Sequence, residues 1–226
     1  MDTLKTCLTP QTLKYFRDLD RNNNREWFAE HKAEYQKNVA APMKQLAATL
    51  APMVQELDPL VVVDPNRIVS RIYRDTRFSN DKTPYRPRVW IAFKRNVDCW
   101  AETPVFFFQV QEKEYMFGMG MYSANPATMR RFREQIDADP DFFLQVITPI
   151  RKSKTLQLAS DCYKRPLPCE HTKEIVPWYQ SKSIGVLGTR EPDKTLLSPK
   201  LADFLIDRFV QLKPLYDFLW RATVIR

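Results

Sequence analysis

A short basic segment, Arg71–Arg88, concentrates charged and hydroxyl side chains that could bind a ligand or take part in a reaction. It reads RIYRDTRFSNDKTPYRPR and holds six cations and two acids, a local excess of +4 in a chain of formal net charge +8. Arginine presents a planar fork of donors that fits phosphate or carboxylate, and lysine adds a compact charge. The sequence therefore predicts a pocket for an anionic group, whose ligand-binding residues are Arg71, Arg74, Arg77, Lys82, Tyr85 and Arg86.

The two acids of this segment, Asp75 and Asp81, support three interpretations. They could orient the cations around a ligand, and in the sharper form of this hypothesis one of them is a general base or a metal-assisting carboxylate. They could instead be buried carboxylates in a purely structural salt-bridge network, with the functional site elsewhere. The third interpretation is a non-catalytic module whose basic patch docks an acidic protein or a nucleic acid, with Phe78 or Tyr73 stacking on bases. Enzyme status and cofactor stay open.

Both histidines of the chain have two interpretations. His31 lies one helical turn from Trp27 and is a candidate general base if that face lines the basic segment. The alternative is a half-buried helix residue bonded to a neighbouring carbonyl. His171, in a polar loop, allows the same pair of roles.

Cysteine and glycine give further expectations. No CxxC pair occurs among the four cysteines, so we predict no metal site. The cysteines are Cys7, Cys99, Cys162 and Cys169. Gly118 and Gly120 remove side chains from one face of a strand, which predicts a close approach by a packed helix or by a ligand.

The elements that must position these residues change type along the chain. Helices are predicted near Pro10–Asp20, from an N-cap at Asn23 that forms a capping box with Glu26, and along 39–53. β-rich runs follow at Arg67–Tyr73, Val89–Lys94, Val105–Gln111 and Tyr115–Tyr122.

The final third returns to helices. Asn125-Pro126 and Asp139-Pro140 each pair an N-cap residue with proline at the first helical position, and Phe142 is expected to face inward. A C-terminal helix opens at Ser198-Pro199, and Pro214 should kink or interrupt it. The pattern predicts an α+β fold, in which a mostly antiparallel sheet of about 4–6 strands is flanked by N-terminal and C-terminal helices.

Length, composition and charge limit the class of protein to which this chain can belong. The chain has 226 residues with 44% hydrophobic content, which suits a single domain over residues 1–226 and no membrane partner. The N-terminus lacks a basic region followed by an apolar one, so we expect a cytoplasmic protein. An isoelectric point near 9.3 favours phosphate-bearing partners, although positive charge also serves solubility.

Three motifs together resemble a known family. They are NNNREWF at 22–28 with His31, RIYRDTRFSNDKTPY at 71–85, and GMGMY at 118–122. The chain is similar nearly end to end to the bacterial conserved-hypothetical family catalogued as domain of unknown function 2461. It departs at Ser160 and Asp161, where the family pattern tends to show glycine. The resemblance implies a one-domain cytoplasmic protein and implies no particular reaction.

Overall fold

The computed structural model describes residues 8–224, and its strands form one antiparallel sheet. The five strands stand in the order β1-β2-β3-β5-β4. Their bounds are β1 Arg88–Phe93, β2 Val105–Gln111, β3 Tyr115–Gly120, β4 Gln157–Leu158 and β5 Gly185–Arg190. The strand β2, predicted to lie inside the sheet because its run VFFFQV is apolar on both faces, has a neighbour on each side. The predicted α+β fold is confirmed.

The helices precede, interrupt and follow this sheet. They are α1 Pro10–Arg21, α2 Arg25–Glu30, α3 Lys32–Tyr35, α4 Ala41–Leu57, α5 Pro65–Ile68, α6 Pro126–Ala138, α7 Pro140–Lys152, α8 Val176–Tyr179 and α9 Lys200–Ala222. A π-helix, Gln36–Ala40, joins α3 to α4, and one turn of 3-10 helix spans Trp100–Glu102. No helix among residues 8–224 combines the length and the apolar character needed to cross a membrane.

The described chain divides into two compact units. The first contains residues 8–93, 107–116 and 189–206, and the second contains residues 94–106, 117–188 and 207–224. The expectation of a single domain stays a prediction.

In the first unit, helices α1 and α4 bury apolar side chains at helical spacing. Phe16 and Leu19 of α1 are fully buried, as are Met43 and Leu50 of α4. Both helices contact the π-helix, and α4 also contacts strand β1. Burial of this apolar face is the main favourable contribution that holds the helices on the sheet.

In the second unit, aromatic rings form the core. Phe132 of α6 meets the rings of Phe143 and Phe218 edge-on, with centroids 5.6 Å away in both cases. Phe106 of β2 stacks on Tyr216 of α9 at 4.4 Å. Edge-to-face and offset pairs add to the free energy gained from burial alone.

The predicted strand Arg67–Tyr73 is wrong, and its first two residues belong to a short helix. Asp64 caps a short helix, α5, by accepting a hydrogen bond from the Asn66 amide at 2.9 Å, and Pro65 occupies its first position. Residues 69–73 form no strand: Val69 makes a single bridge to Ile91 of β1, and Tyr73 makes a single bridge to Tyr85. The cap and the proline favour a helical turn over the β propensity of the apolar residues that follow.

Two expectations in the final third are also corrected. Helix α9 continues through Pro214 to Ala222, so the expected interruption is wrong, while the alternative of a kink stays a prediction. Leu212 and Leu215 on either side are fully buried, and this packing offsets the missing hydrogen bond. Phe142 keeps 38% of its surface exposed and does not face inward, whereas Phe143 is fully buried.

Candidate functional site

The basic segment folds as a loop closed by its own two arms, within the first unit. Tyr73 and Tyr85 form an antiparallel bridge. The Arg74 amide donates to the Pro84 carbonyl, and the Arg86 amide donates to the Ile72 carbonyl, both at 2.8 Å. Residues 75–83 therefore form a loop whose base is held by main-chain hydrogen bonds.

Asn23 attaches this loop to the N-terminal helices. Its side-chain amide donates to the Tyr85 carbonyl and its side-chain oxygen accepts from the Tyr85 amide, each at 3.0 Å. Because Asn23 is engaged in this way, the predicted N-cap at Asn23 is wrong by one residue. Asn24 caps α2 instead, accepting from the Trp27 amide at 2.9 Å.

Aromatic rings support the base of the loop. Phe28 stacks on Tyr85 with ring centroids 4.1 Å apart and meets Tyr73 edge-on at 5.9 Å. Tyr85 is 5% exposed, and burial raises the pKa of its hydroxyl. The Tyr85 ring is therefore part of a packed cluster. Phe78 lies apart from this cluster at the tip of the loop, 96% exposed.

The acids of the segment pair locally at its surface. Asp75 accepts from the Arg77 guanidinium, with its closest contact at 2.6 Å. Asp81 pairs with Arg74 and also accepts from the Thr83 amide at 2.9 Å. Both carboxylate side chains are 54% exposed, so these ion pairs are screened by solvent and contribute little to stability. These exposed ion pairs therefore differ from the buried salt-bridge network that the purely structural interpretation of the segment predicts.

Both carboxyl groups should stay ionised far into the acid range. Bonds from Arg77 hold the pKa of Asp75 at about 2, and bonds from Thr83 and then Arg74 hold the pKa of Asp81 at about 2. A pKa this low makes each carboxylate a weak general base at neutral pH.

The same shifts give a pH prediction. Because the folded-state pKa is lowered, what each carboxylate contributes to loop closure is present above its usual pKa of 3.8 and is lost as pH falls towards 2. The backbone amides of Arg77 and Thr83, which bond these carboxylates, should titrate in NMR spectra with midpoints near 2. Midpoints near 3.8 would show that the two ion pairs do not form in solution.

Four cations of the segment have no carboxylate partner among the described residues; they are Arg71, Lys82, Arg86 and Arg88. The Lys82 ammonium donates to the Thr76 carbonyl at 3.0 Å. Arg86 is half-buried, donates to the Arg71 carbonyl at 3.2 Å and lies 5.2 Å from the centre of the Trp90 ring. The segment thus keeps a positive surplus after its acids are paired.

His31 makes the carbonyl contact of its structural interpretation, and its role as a general base stays a prediction. Its Nδ1 lies 2.8 Å from the Trp27 carbonyl, which assigns the Nδ1 proton to that bond, and its ring stacks on Trp27 at 4.1 Å. Trp27 in turn lies 5.7 Å from Tyr15. These contacts fix the His31 ring against its own helix.

His171 belongs to a polar cluster in the second unit. Its Nε2 lies 2.6 Å from the Asp137 carboxylate, which also accepts from the Tyr179 hydroxyl at 3.0 Å. This cluster ties the loop before α8 to the end of α6. Residues 8–224 contain no group of three side chains able to hold a metal ion, and Cys7 lies outside the described residues.

Comparison with known families identifies the chain. Residues 11–218 match the family described as conserved hypothetical protein (DUF2461). The chain belongs to DUF2461. The match covers both arms of the basic segment and Asn23, so the site described above lies inside the DUF2461 region. No curated protein matches the chain.

Two contributors to this DUF2461 site were missed at the sequence level. The Asn23 bond to Tyr85 joins residues 62 positions apart, and the run of three asparagines gives no signal for which of them makes it. The π-helix after α3 was not predicted either, because its residues continue an ordinary helical pattern.

Proposed function

We propose that the protein binds a phosphate-bearing or other small anionic ligand through the Arg71–Arg88 segment. The position of Arg86 carries the proposal. Its guanidinium is half-buried and makes no ion pair among the described residues, while three further arginines lie near enough to act on its charge. Those three are Arg88, Arg74 and Arg71.

The electrostatics of Arg86 support an anion at this position. Burial, followed by the neighbouring arginine charges, lowers the pKa of Arg86, and the Asp75 carboxylate opposes this only weakly. A cation that is partly desolvated beside like charges raises the free energy of the empty protein. A bound phosphate would relieve that repulsion and accept charge-assisted hydrogen bonds from the guanidinium groups.

Isothermal titration of the protein with inorganic phosphate and pyrophosphate tests this function. Wild type should bind both, and Arg86→Ala should weaken binding by about tenfold or more, because one hydrogen bond to a charged group is lost. The matched control is Arg131→Ala, which removes the same charge from an exposed position on α6. Its affinity should stay within about twofold of wild type, since a remote exposed charge is largely screened.

Two results would contradict the proposal. One is the absence of phosphate and pyrophosphate binding by wild type. The other is an equal loss of affinity in both variants, which would indicate a diffuse effect of net charge. Circular dichroism of each variant confirms that it is folded before its affinity is compared.

The exposed tip of the loop favours a second candidate function, docking on a nucleic acid. Phe78 is 96% exposed, and the Arg77 guanidinium lies 5.8 Å from its ring centre. An exposed ring beside cations is the arrangement on which single-stranded bases stack. Binding of a short oligonucleotide that weakens in Phe78→Ala and falls steeply with salt would support this candidate over a small anion.

A further inference from the structure

A groove of about 220 Å³ in the first unit lies beside the basic segment and shares three residues with it, Arg71, Ile72 and Tyr73. Residues of α2, α3, α4, α5 and the 69–73 stretch line the groove. Its charge is one-sided, because Lys32, Lys44 and Arg71 are lining residues and no aspartate or glutamate is. The Lys44 ammonium donates to the Asn66 side-chain oxygen at 2.8 Å, a neutral partner that positions the charge without cancelling it.

One wall of the groove is aromatic. Tyr73 is 54% exposed, and its ring is supported from behind by Tyr85 at 5.5 Å and by Phe28 at 5.9 Å. A ring held in this way and still open to solvent is a preformed stacking surface, because little side-chain entropy is lost when a second ring covers it.

The backbone of the groove is unusual as well. Gln36 and Ala40, the first and last residues of the π-helix, both line it. A π-helix is rare and is found frequently at functional sites. This observation is independent of the charges and of the aromatic wall.

We infer that this groove holds the organic part of the ligand, and that the ligand is a phosphomonoester carrying a single aromatic ring. The ring lies against Tyr73, and the phosphate is bound by Arg86 and by Arg71, whose carbonyl accepts a hydrogen bond from Arg86, while the groove lysines add positive charge. The inference rests on the proposed function, since the phosphate is the group that the basic segment binds. A volume of 220 Å³ falls below the range of about 300–1,000 Å³ of pockets that enclose drug-sized ligands, which favours a ligand with a single ring.

Phenyl phosphate, cyclohexyl phosphate and inorganic phosphate are the probes for this inference, compared by isothermal titration. Phenyl phosphate should bind wild type about tenfold more tightly than inorganic phosphate, with cyclohexyl phosphate in between. In Tyr73→Leu, phenyl phosphate should bind no more tightly than inorganic phosphate, so the ratio of the two affinities should fall from about ten to about one. The matched control, Phe78→Leu, removes an exposed ring that does not line the groove and should change neither affinity.

The outcomes separate the two proposals. If inorganic phosphate binds but phenyl phosphate binds no more tightly, the groove assignment is overturned while the anion-binding function stands. If neither binds, the function itself is wrong and the groove assignment falls with it. The wild-type comparison needs no variant, so it decides the matter even where Tyr73→Leu does not fold. Equal phenyl phosphate affinity in folded Tyr73→Leu and in wild type would also overturn the assignment.

Discussion

Replacing Gly118 by alanine should lower the free energy of unfolding by about 3 kcal/mol, at the upper end of the usual cost of overpacking. A Cβ at this position would lie 2.1 Å from the Val186 carbonyl oxygen and 2.7 Å from the Leu187 Cα. Both are backbone atoms of strand β5, so neither can move aside by changing a rotamer. Urea denaturation followed by circular dichroism measures the loss.

Gly185→Ala is the matched control for this prediction. Its added Cβ would meet a single backbone atom, the Ala159 carbonyl oxygen, at 2.9 Å. The control should therefore lose less stability than Gly118→Ala. Equal losses in the two variants would show that the approach of β5 to Gly118 is looser than the structure has it.

Gly118 also shows what sequence reasoning could and could not give. Two glycines spaced two apart on a strand indicated a close approach, and the structure confirms that one exists. The sequence suggested a helix or a ligand as the partner, whereas the partner is the backbone of β5. Strands that pair over a long sequence separation leave no local sequence pattern. The strand that packs against a pair of glycines therefore cannot be predicted from the sequence alone.

The helices and strands whose positions are set by neighbouring residues were predicted well. The strand β2 has the predicted bounds, and α6 and α7 begin after the predicted caps, Asn125 and Asp139. A cap, a proline at the first helical position and a run of β-branched and aromatic residues are all properties of neighbouring residues. The same rules failed at Arg67–Tyr73, where two local signals competed.

The candidate site was predictable in composition but not in arrangement. The charge surplus of the segment is visible in its sequence, whereas the pairing of Asp75 with Arg77 and of Asp81 with Arg74 is not. The conformation of the loop decides which cations have no carboxylate partner. This conformation depends in turn on the bond between Tyr85 and Asn23, which are 62 residues apart in the sequence. The lysines of the groove lie on helices that the sequence pattern indicated only as architecture.

Phe28→Ala should cost about 3–5 kcal/mol of the free energy of unfolding, the range typical of truncating a buried phenylalanine. Phe28 is 4% exposed, and its ring contacts three tyrosines. They are Tyr85 at 4.1 Å, Tyr35 at 5.6 Å and Tyr73 at 5.9 Å. Removal of the ring leaves a cavity under the base of the loop, which the surrounding rings fill only in part.

The chain provides a matched control for Phe28→Ala in a second phenylalanine of the same site. Phe78→Ala removes the same atoms from a side chain that is 96% exposed, so its effect should stay within about 0.5 kcal/mol. Urea denaturation of both variants measures the difference, and similar losses would mean that Phe28 is not the packing centre of the loop.

Phe28 also links the stability of the protein to ligand binding, because its ring supports the base of the loop and also lines the groove. Its ring supports Tyr73 and Tyr85, and their bridge closes the base from which Arg74 and Arg86 extend. Below its unfolding transition, Phe28→Ala should therefore bind phosphate more weakly than wild type, whereas Phe78→Ala should not. Unchanged phosphate affinity in folded Phe28→Ala would mean that the main-chain bonds and Asn23 alone fix the arginines, with the aromatic cluster contributing stability only.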